Sequence, residues 1–123
     1  MNKNNGFTLI ELITVVSIIL ILSSMLIPNV LGYINKANEE KAKDTAALVF
    51  SSAMESYLQQ NETFIKDDVE ECLNENLKIK DISFNVCMPT NEKNMDVDFQ
   101  YKNINYEVHI NGEDCNYAFQ KEN

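Results

Sequence analysis

Apolar residues are spread unevenly along this chain. From Leu12 to Leu31 twenty consecutive residues carry no charge, broken only by Thr14, Ser17, Ser23, Ser24, Pro28 and Asn29. Counted from Phe7 the stretch has 25 residues, about 37 Å as a helix against a hydrocarbon core of about 30 Å. It is long enough to cross a bilayer with some tilt. A secretory signal is the competing reading, but its apolar run is shorter, about 7 to 15 residues, and closes on a small-residue cleavage site. Here the run leads into more helix. After Gly32, the residues Tyr33-Ile34, Ala37, Ala46, Val49-Phe50, Ala53-Met54 and Tyr57-Leu58 recur at the three- and four-residue spacing of one helical face. No Gly or Pro interrupts residues 33–60. The pattern predicts one helix from about Phe7 to Gln60, its first part (residues 7–31) membrane-spanning and its second part amphipathic. Pro28 removes a backbone donor and Gly32 adds a weak propensity, so a kink or flexible joint is expected there.

Asn61-Glu62-Thr63 ends that helix. A short second helix is expected over Asp67 to Leu77, with Asp67 as N-cap and Glu70 completing a capping box. Beyond residue 80 the period changes to two. Ile82, Phe84 and Val86; Val97, Phe99 and Tyr101; Ile104, Tyr106, Val108 and Ile110; and Tyr117 and Phe119 mark four strands. Residues 89–94 read as a loop, Lys102-Asn103 as a tight turn, and Asn111-Gly112-Glu113-Asp114 as a turn whose Asn-Gly pair tolerates positive φ. Successive strands joined this way are antiparallel. The fold class is therefore α+β: a long N-terminal transmembrane and spine helix, packed against a small C-terminal antiparallel β-sheet.

With 123 residues, the chain has room for one small domain plus an extra helix. Its formal net charge of −9 argues against a basic face for phosphates, so no direct nucleic-acid binding is expected. The cysteines, Cys72, Cys87 and Cys115, have neither CxxC nor zinc spacing. In an oxidising compartment three thiols allow one bridge. Cys115 is in phase with Tyr117 and Phe119, Cys72 lies on the apolar side of its helix and Cys87 is out of phase with its strand, so Cys72 with Cys115 is the favoured pair. Three reduced thiols, with Cys72 as a small core residue, are the other reading. The acids Asp67, Asp68, Glu70 and Glu71 read as a helix first turn favoured by the dipole rather than as a calcium site. His109, the single histidine, falls on the polar side of its strand with Asn105, Glu107 and Asn111, as do Asp96 and Asp98 on theirs, and all are expected at a solvated surface. No spacing suggests a nucleophile with its base, so no catalytic residue, metal or cofactor is expected.

Glu11 stands out. It lies within Gly6-Phe7-Thr8-Leu9-Ile10-Glu11-Leu12, a charge at the head of an apolar helix. An acid at the centre of a membrane helix costs about 2.5 to 3.5 kcal/mol, less near an end, and is usually paired. This run resembles, letter for letter, the processing motif of type IV pilins and related pseudopilins. The short leader Met1 to Gly6 with Lys3, and Pro28 further along, also fit that family over roughly residues 1–60. The resemblance implies a leader of residues 1–6, cleaved after Gly6 by a prepilin peptidase, then methylation of the new Phe7 amine. It implies a membrane half at 7–31 and a soluble pilin head at 32–123. It also implies a role for Glu11 in neutralising the Phe7 amine of an adjacent subunit as helices bundle, turning a lone charge into a paired one.

Charge counting disagrees with that orientation. Lys36, Lys41 and Lys43 follow the span, whereas Lys3 and the N-terminal amine precede it. Their interleaving with Glu39, Glu40 and Asp44, through helical pairs such as Glu39 with Lys43, softens the conflict. The expected function is a structural subunit of a type IV pilus-like filament. The expected partners are like or unlike pilin subunits, the peptidase, the assembly machinery and the membrane. Such a precursor sits in the cell membrane as a single-pass protein and moves to a surface filament. A competence or type II secretion pseudopilin, or a minor pilin, shares the same N-terminal motif. A membrane-anchored binding or sensor domain is the alternative from another class, and N-terminal sequencing distinguishes it.

Overall fold

The computed structural model describes residues 5–80 and 82–122, so most of the leader, including Lys3, lies outside the described residues. The element order is α1 (Leu9–Gln59), α2 (Lys66–Asn76), β1 (Ser83–Val86), β2 (Asn94–Tyr101), β3 (Ile104–Asn111) and β4 (Asn116–Lys121). This is the expected α+β arrangement. The chain divides at Ala37/Asn38 into two compact units.

In the first unit, the long apolar helix is unbroken through Pro28 and Gly32. Four of its polar side chains turn inward to its own backbone. Thr14 Oγ1 donates to the Ile10 carbonyl at 2.7 Å, Ser17 Oγ to Ile13 at 2.7 Å, Ser24 Oγ to Ile21 at 2.7 Å, and Asn29 Nδ2 to Met25 at 3.2 Å. Side chains satisfied in this way can enter an apolar medium without an unpaired hydrogen-bonding group. The large apolar side chains from Phe7 to Ile34 are all exposed.

In the second unit the remainder of α1 carries a buried stripe of Ala42, Thr45, Ala46, Val49, Ser52, Ala53, Met54, Ser56 and Tyr57. Tyr33, Ile34 and Leu58, which the spacing placed on the same face, are exposed. The buried stripe thus starts later than periodicity suggests. Helix α1 ends as its sequence predicts. Asn61 takes φ 57° and the Glu62 amide donates to the Tyr57 carbonyl at 2.9 Å, a Schellman closure that satisfies a terminal carbonyl.

Helix α2 differs from expectation at its start. It begins at Lys66 with Ile65 as N-cap and no capping side chain, so Asp67 and Asp68 occupy the first turn instead of forming a capping box. The neighbouring Phe64 explains the shift. Its ring is buried against Tyr57, with centroids 4.6 Å apart, and its amide donates to the Glu92 carbonyl at 2.9 Å. This anchor fixes where the chain turns into α2, and the acids still serve the helix dipole.

The sheet has the order β1-β2-β3-β4, each neighbour antiparallel. One face is core: Val86, Met95, Val97, Phe99, Tyr101, Tyr106, Val108 and Ile110 are buried with the α1 stripe, Val69 and Leu73. Met95, fully buried, was assigned to no strand by the sequence pattern, because the polar run before it reads as loop; the structure starts β2 at Asn94. Lys102 and Asn103 have φ 52° and 62°, the paired left-handed residues of a type I′ hairpin turn. The turn expected after Asn111 is present, but its left-handed residue is Cys115, at φ 51°, and Gly112 does not take positive φ. Glycine is needed at 112 for proximity. A Cβ there would lie 2.7 Å from two atoms of the Tyr57 ring.

Candidate functional site

The N-terminal segment is built from a local hydrogen-bond exchange. Thr8 precedes the first helical residue, Leu9. The Glu11 amide donates to Thr8 Oγ1 at 3.2 Å, and the Thr8 amide donates to Glu11 Oε2 at 3.4 Å. This is a reciprocal capping box, in which two helix-end donors are satisfied by the two side chains. Sequence reasoning treated Glu11 as a lone charge and missed this, although threonine followed three residues later by glutamate is the signature of the device. Glu11 is also the acid of the first turn, where the helix dipole favours it.

Gly6 and Phe7 lie before the helix in non-helical backbone. Nothing lies within 4 Å of a Cβ built on Gly6, and Phe7 is 85% exposed. The peptide bond between them is open to a macromolecular catalyst. Gly32 is equally open, within the helix. Helix α1 is long and apolar enough to cross a membrane.

A family model for the prokaryotic N-terminal methylation motif matches residues 1–27. The match is confined to the N-terminal segment and covers no part of the second compact unit. The chain is similar to the type II secretion system core protein G of Vibrio cholerae serotype O1, 38% identical over 68 residues, covering 55% of this chain and 46% of the relative. It is likewise similar to the core protein G of Escherichia coli K12, 39% identical over 61 residues, with 49% and 41% covered. The protein of that name in Aeromonas hydrophila is 36% identical over 63 residues, with 50% and 43% covered. The chain thus spans less than half the length of these curated relatives. No solved structure matches.

The remaining residues singled out from sequence are spread over the head. The three cysteines are free thiols, and the Cys72–Cys115 bridge is not formed. The phase argument for Cys115 does not apply, because β4 begins at Asn116 and Cys115 sits in the preceding turn, with its thiol 3.6 Å from the Gly112 carbonyl oxygen. Burial, and then Glu55 and Glu75, push the Cys72 thiol above its ordinary value. Cys87 donates to Asp98 Oδ2 at 3.4 Å; burial, followed by this bond and the Asp98 charge, pushes its pKa up to about 11. Lys43 pairs with Glu40 at 3.6 Å rather than with Glu39, and both side chains are exposed. Lys41 instead lies over the Tyr101 ring, 5.3 Å from its centroid.

His109 is on the polar face as predicted, but Asp96 is not simply solvated. The β2–β3 register sets the two opposite one another, with Asp96 Oδ1 2.6 Å from His109 Nδ1. That hydrogen bond raises the His109 pKa against the opposing effect of burial. Glu107 adds a carboxylate 3.5 Å from Nε2. Among the described residues, Asp96, Glu107 and His109 are the group of metal-ligating side chains drawn together, their ligand atoms all within 4.8 Å. Strand spacing alone could not show this, because cross-strand register is absent from a one-dimensional pattern.

Proposed function

We propose that this chain is a structural subunit of a pilin-like fibre of the secretion type, matured by cleavage between Gly6 and Phe7 and methylation of the Phe7 amine. One observation carries the reading: a capped helix whose large apolar side chains up to Ile34 are all exposed begins two residues after an unobstructed Gly6-Phe7 bond. Such a surface is tolerable only in lipid or against other helices. The bilayer stores the subunit, and extraction into a bundle buries the same residues against neighbours. The curated relatives, named for type II secretion, favour a pseudopilin over a long surface pilus. Peptidase, assembly machinery and neighbouring subunits are the partners this requires, with the cell membrane as the site of the precursor.

Within this reading, Glu11 has successive partners. In the subunit it caps its own helix through Thr8; in the fibre it takes the Phe7 amine of an adjacent copy. Breaking one half of a buried pair costs about 3 to 5 kcal/mol, so Glu11→Val inserts into membrane but yields little fibre. Pro28 and Gly32 give the helix its place to bend during packing. Intact-mass and N-terminal sequencing of chain purified from cells containing a prepilin peptidase tests the core claim. The expected product lacks Met1 to Gly6 and carries one added methyl on Phe7. An intact Met1 in exported protein replaces this reading with that of an uncleaved anchor bearing a binding domain.

A further inference from the structure

The polar face of the sheet carries a constellation of titratable side chains outside the core. Register sets Asp96 of β2 opposite His109 of β3, and Gln120 of β4 opposite Glu107 of β3. The 2.6 Å contact between Asp96 Oδ1 and Nδ1 holds the ring proton on Nδ1 and leaves the Nε2 lone pair facing away from it. Around Nε2 stand Glu107 Oε2 at 3.5 Å and the Gln120 amide nitrogen at 3.2 Å, and that nitrogen lies 2.9 Å from Glu107 Oε2. Without an ion the amide donates to Glu107 and faces the Nε2 lone pair. A half-turn about its terminal bond, which a cation between the oxygens makes favourable, puts the carbonyl oxygen in the nitrogen's place and turns a donor into an acceptor.

The three atoms then form a triangle with edges of 2.9, 3.2 and 3.5 Å. Its corners are about 1.9 Å from a common centre, and metal bonds to imidazole nitrogen and carboxylate oxygen are about 2.0 to 2.2 Å. An ion slightly above the triangle reaches all three without backbone movement. The fourth position opens to solvent, since His109 is 44% exposed. The imidazole and the carboxylate suit a borderline ion of four-coordinate preference, with the amide oxygen as the weakest of the three ligands. A calcium site would need six to eight oxygens, which are not supplied here. Asp96 then has the position of the outer carboxylate that orients a ligating histidine.

We propose that Glu107, His109 and Gln120 bind a divalent transition-metal ion, zinc(II) by donor chemistry, with Asp96 as positioning residue. The ion ties β4 to β3. This matters because β4 is an edge strand with only Phe119 partly buried, and a metal bridge holds it where packing holds it little.

The test uses the full chain in detergent micelles, stripped by a chelator and titrated with cobalt(II), then zinc(II). The expected result is one cobalt per chain with the intense visible bands of four-coordinate cobalt, displaced by one equivalent of zinc. His109→Gln and Glu107→Gln each weaken zinc binding at least tenfold. Asp96→Asn weakens it ten- to a hundredfold while the cobalt bands keep their form, which separates orientation from ligation. Zinc slows hydrogen exchange of the β4 amides in the parent chain and not in His109→Gln. These residues lie outside the core, and far-UV circular dichroism confirms that the metal-free variants fold. No binding up to millimolar zinc overturns the proposal, as does a cobalt spectrum unchanged by His109→Gln. Calcium occupying the site in preference to zinc overturns it too.

Discussion

Gly112→Ala tests the closest fit in the head. Its added Cβ would stand 2.7 Å from Tyr57 Cε2 and Cζ and 3.0 Å from Cε1, where carbon contacts are optimal near 3.5 to 4.0 Å. The ring must retreat by about an ångström to restore that spacing. It has little room: Tyr57 is 2% exposed and lies against Phe64, with centroids 4.6 Å apart. Overpacking of this kind costs about 1 to 3 kcal/mol, and the reduced freedom of the unfolded chain returns about 0.4 to 1 kcal/mol. The expected net loss is about 1 to 2 kcal/mol, or roughly 5 to 15 °C in Tm for a domain of this size. Denaturation of the full chain in detergent, followed by near-UV circular dichroism of the tyrosines, reads it. A companion measurement in the Tyr57→Leu background isolates the contact, because a smaller side chain leaves room for the methyl group. There Gly112→Ala should cost nothing or stabilise slightly. Equal losses in both backgrounds would refute the proximity argument, and so would a loss below about 0.5 kcal/mol in the parent chain.

Two further outcomes follow from turn and thiol chemistry. Lys102 and Asn103 both occupy left-handed backbone, which costs an ordinary residue about 1 to 2 kcal/mol. Replacing the pair by Asn-Gly, with Lys102→Asn and Asn103→Gly, should gain about 1 kcal/mol in urea denaturation after loss of the Lys102 contact with the Tyr101 ring; an unchanged midpoint contradicts the turn type. With Cys87 held at a pKa of about 11, iodoacetamide at pH 8 should modify Cys115 first and Cys87 last. The Cys87 rate then climbs about tenfold per pH unit toward that value. The unfolded thiol ionises near 8.5, so this group's contribution to stability is intact below about pH 8.5 and disappears as pH rises through 11. Asp98→Asn should shift the alkylation profile to lower pH; an unmoved profile removes Asp98 as a cause.

What the sequence made legible divides along physical lines. The twenty uncharged residues and the period-two runs announce α1 and the sheet because each element must present an apolar surface, and that requirement is written in residue order. The Lys102-Asn103 turn was equally readable, since two strands joined by so short a link have few geometries open to them. Tertiary choices stayed hidden. Ile65 replaces Asp67 at the head of α2 because Phe64 is anchored by Tyr57 and Glu92, contacts distant along the chain. Met95 is core because β2 starts at Asn94, ahead of Val97, the first residue that the sequence pattern marks, although Met95 is in phase with it. The contact between His109 and Asp96 depends on register between strands, which no single strand encodes. Thr8 with Glu11 is the exception, a short-range device that was visible and overshadowed by the charge itself.

The alanines at 42, 46 and 53 make the middle of the buried α1 stripe nearly smooth. A smooth rail offers no notch against sliding, and a helix displaced by one turn, about 5.4 Å, would present a similar row of methyl groups to the strands. Slippage is blocked at the two ends. The Tyr57 ring is seated on the backbone notch at Gly112, and the Tyr101 hydroxyl meets Asn38 Oδ1 at 3.4 Å. These two stops act like dowels in a joint: they set the alignment, while the methyl groups between them supply closeness without a thread of their own.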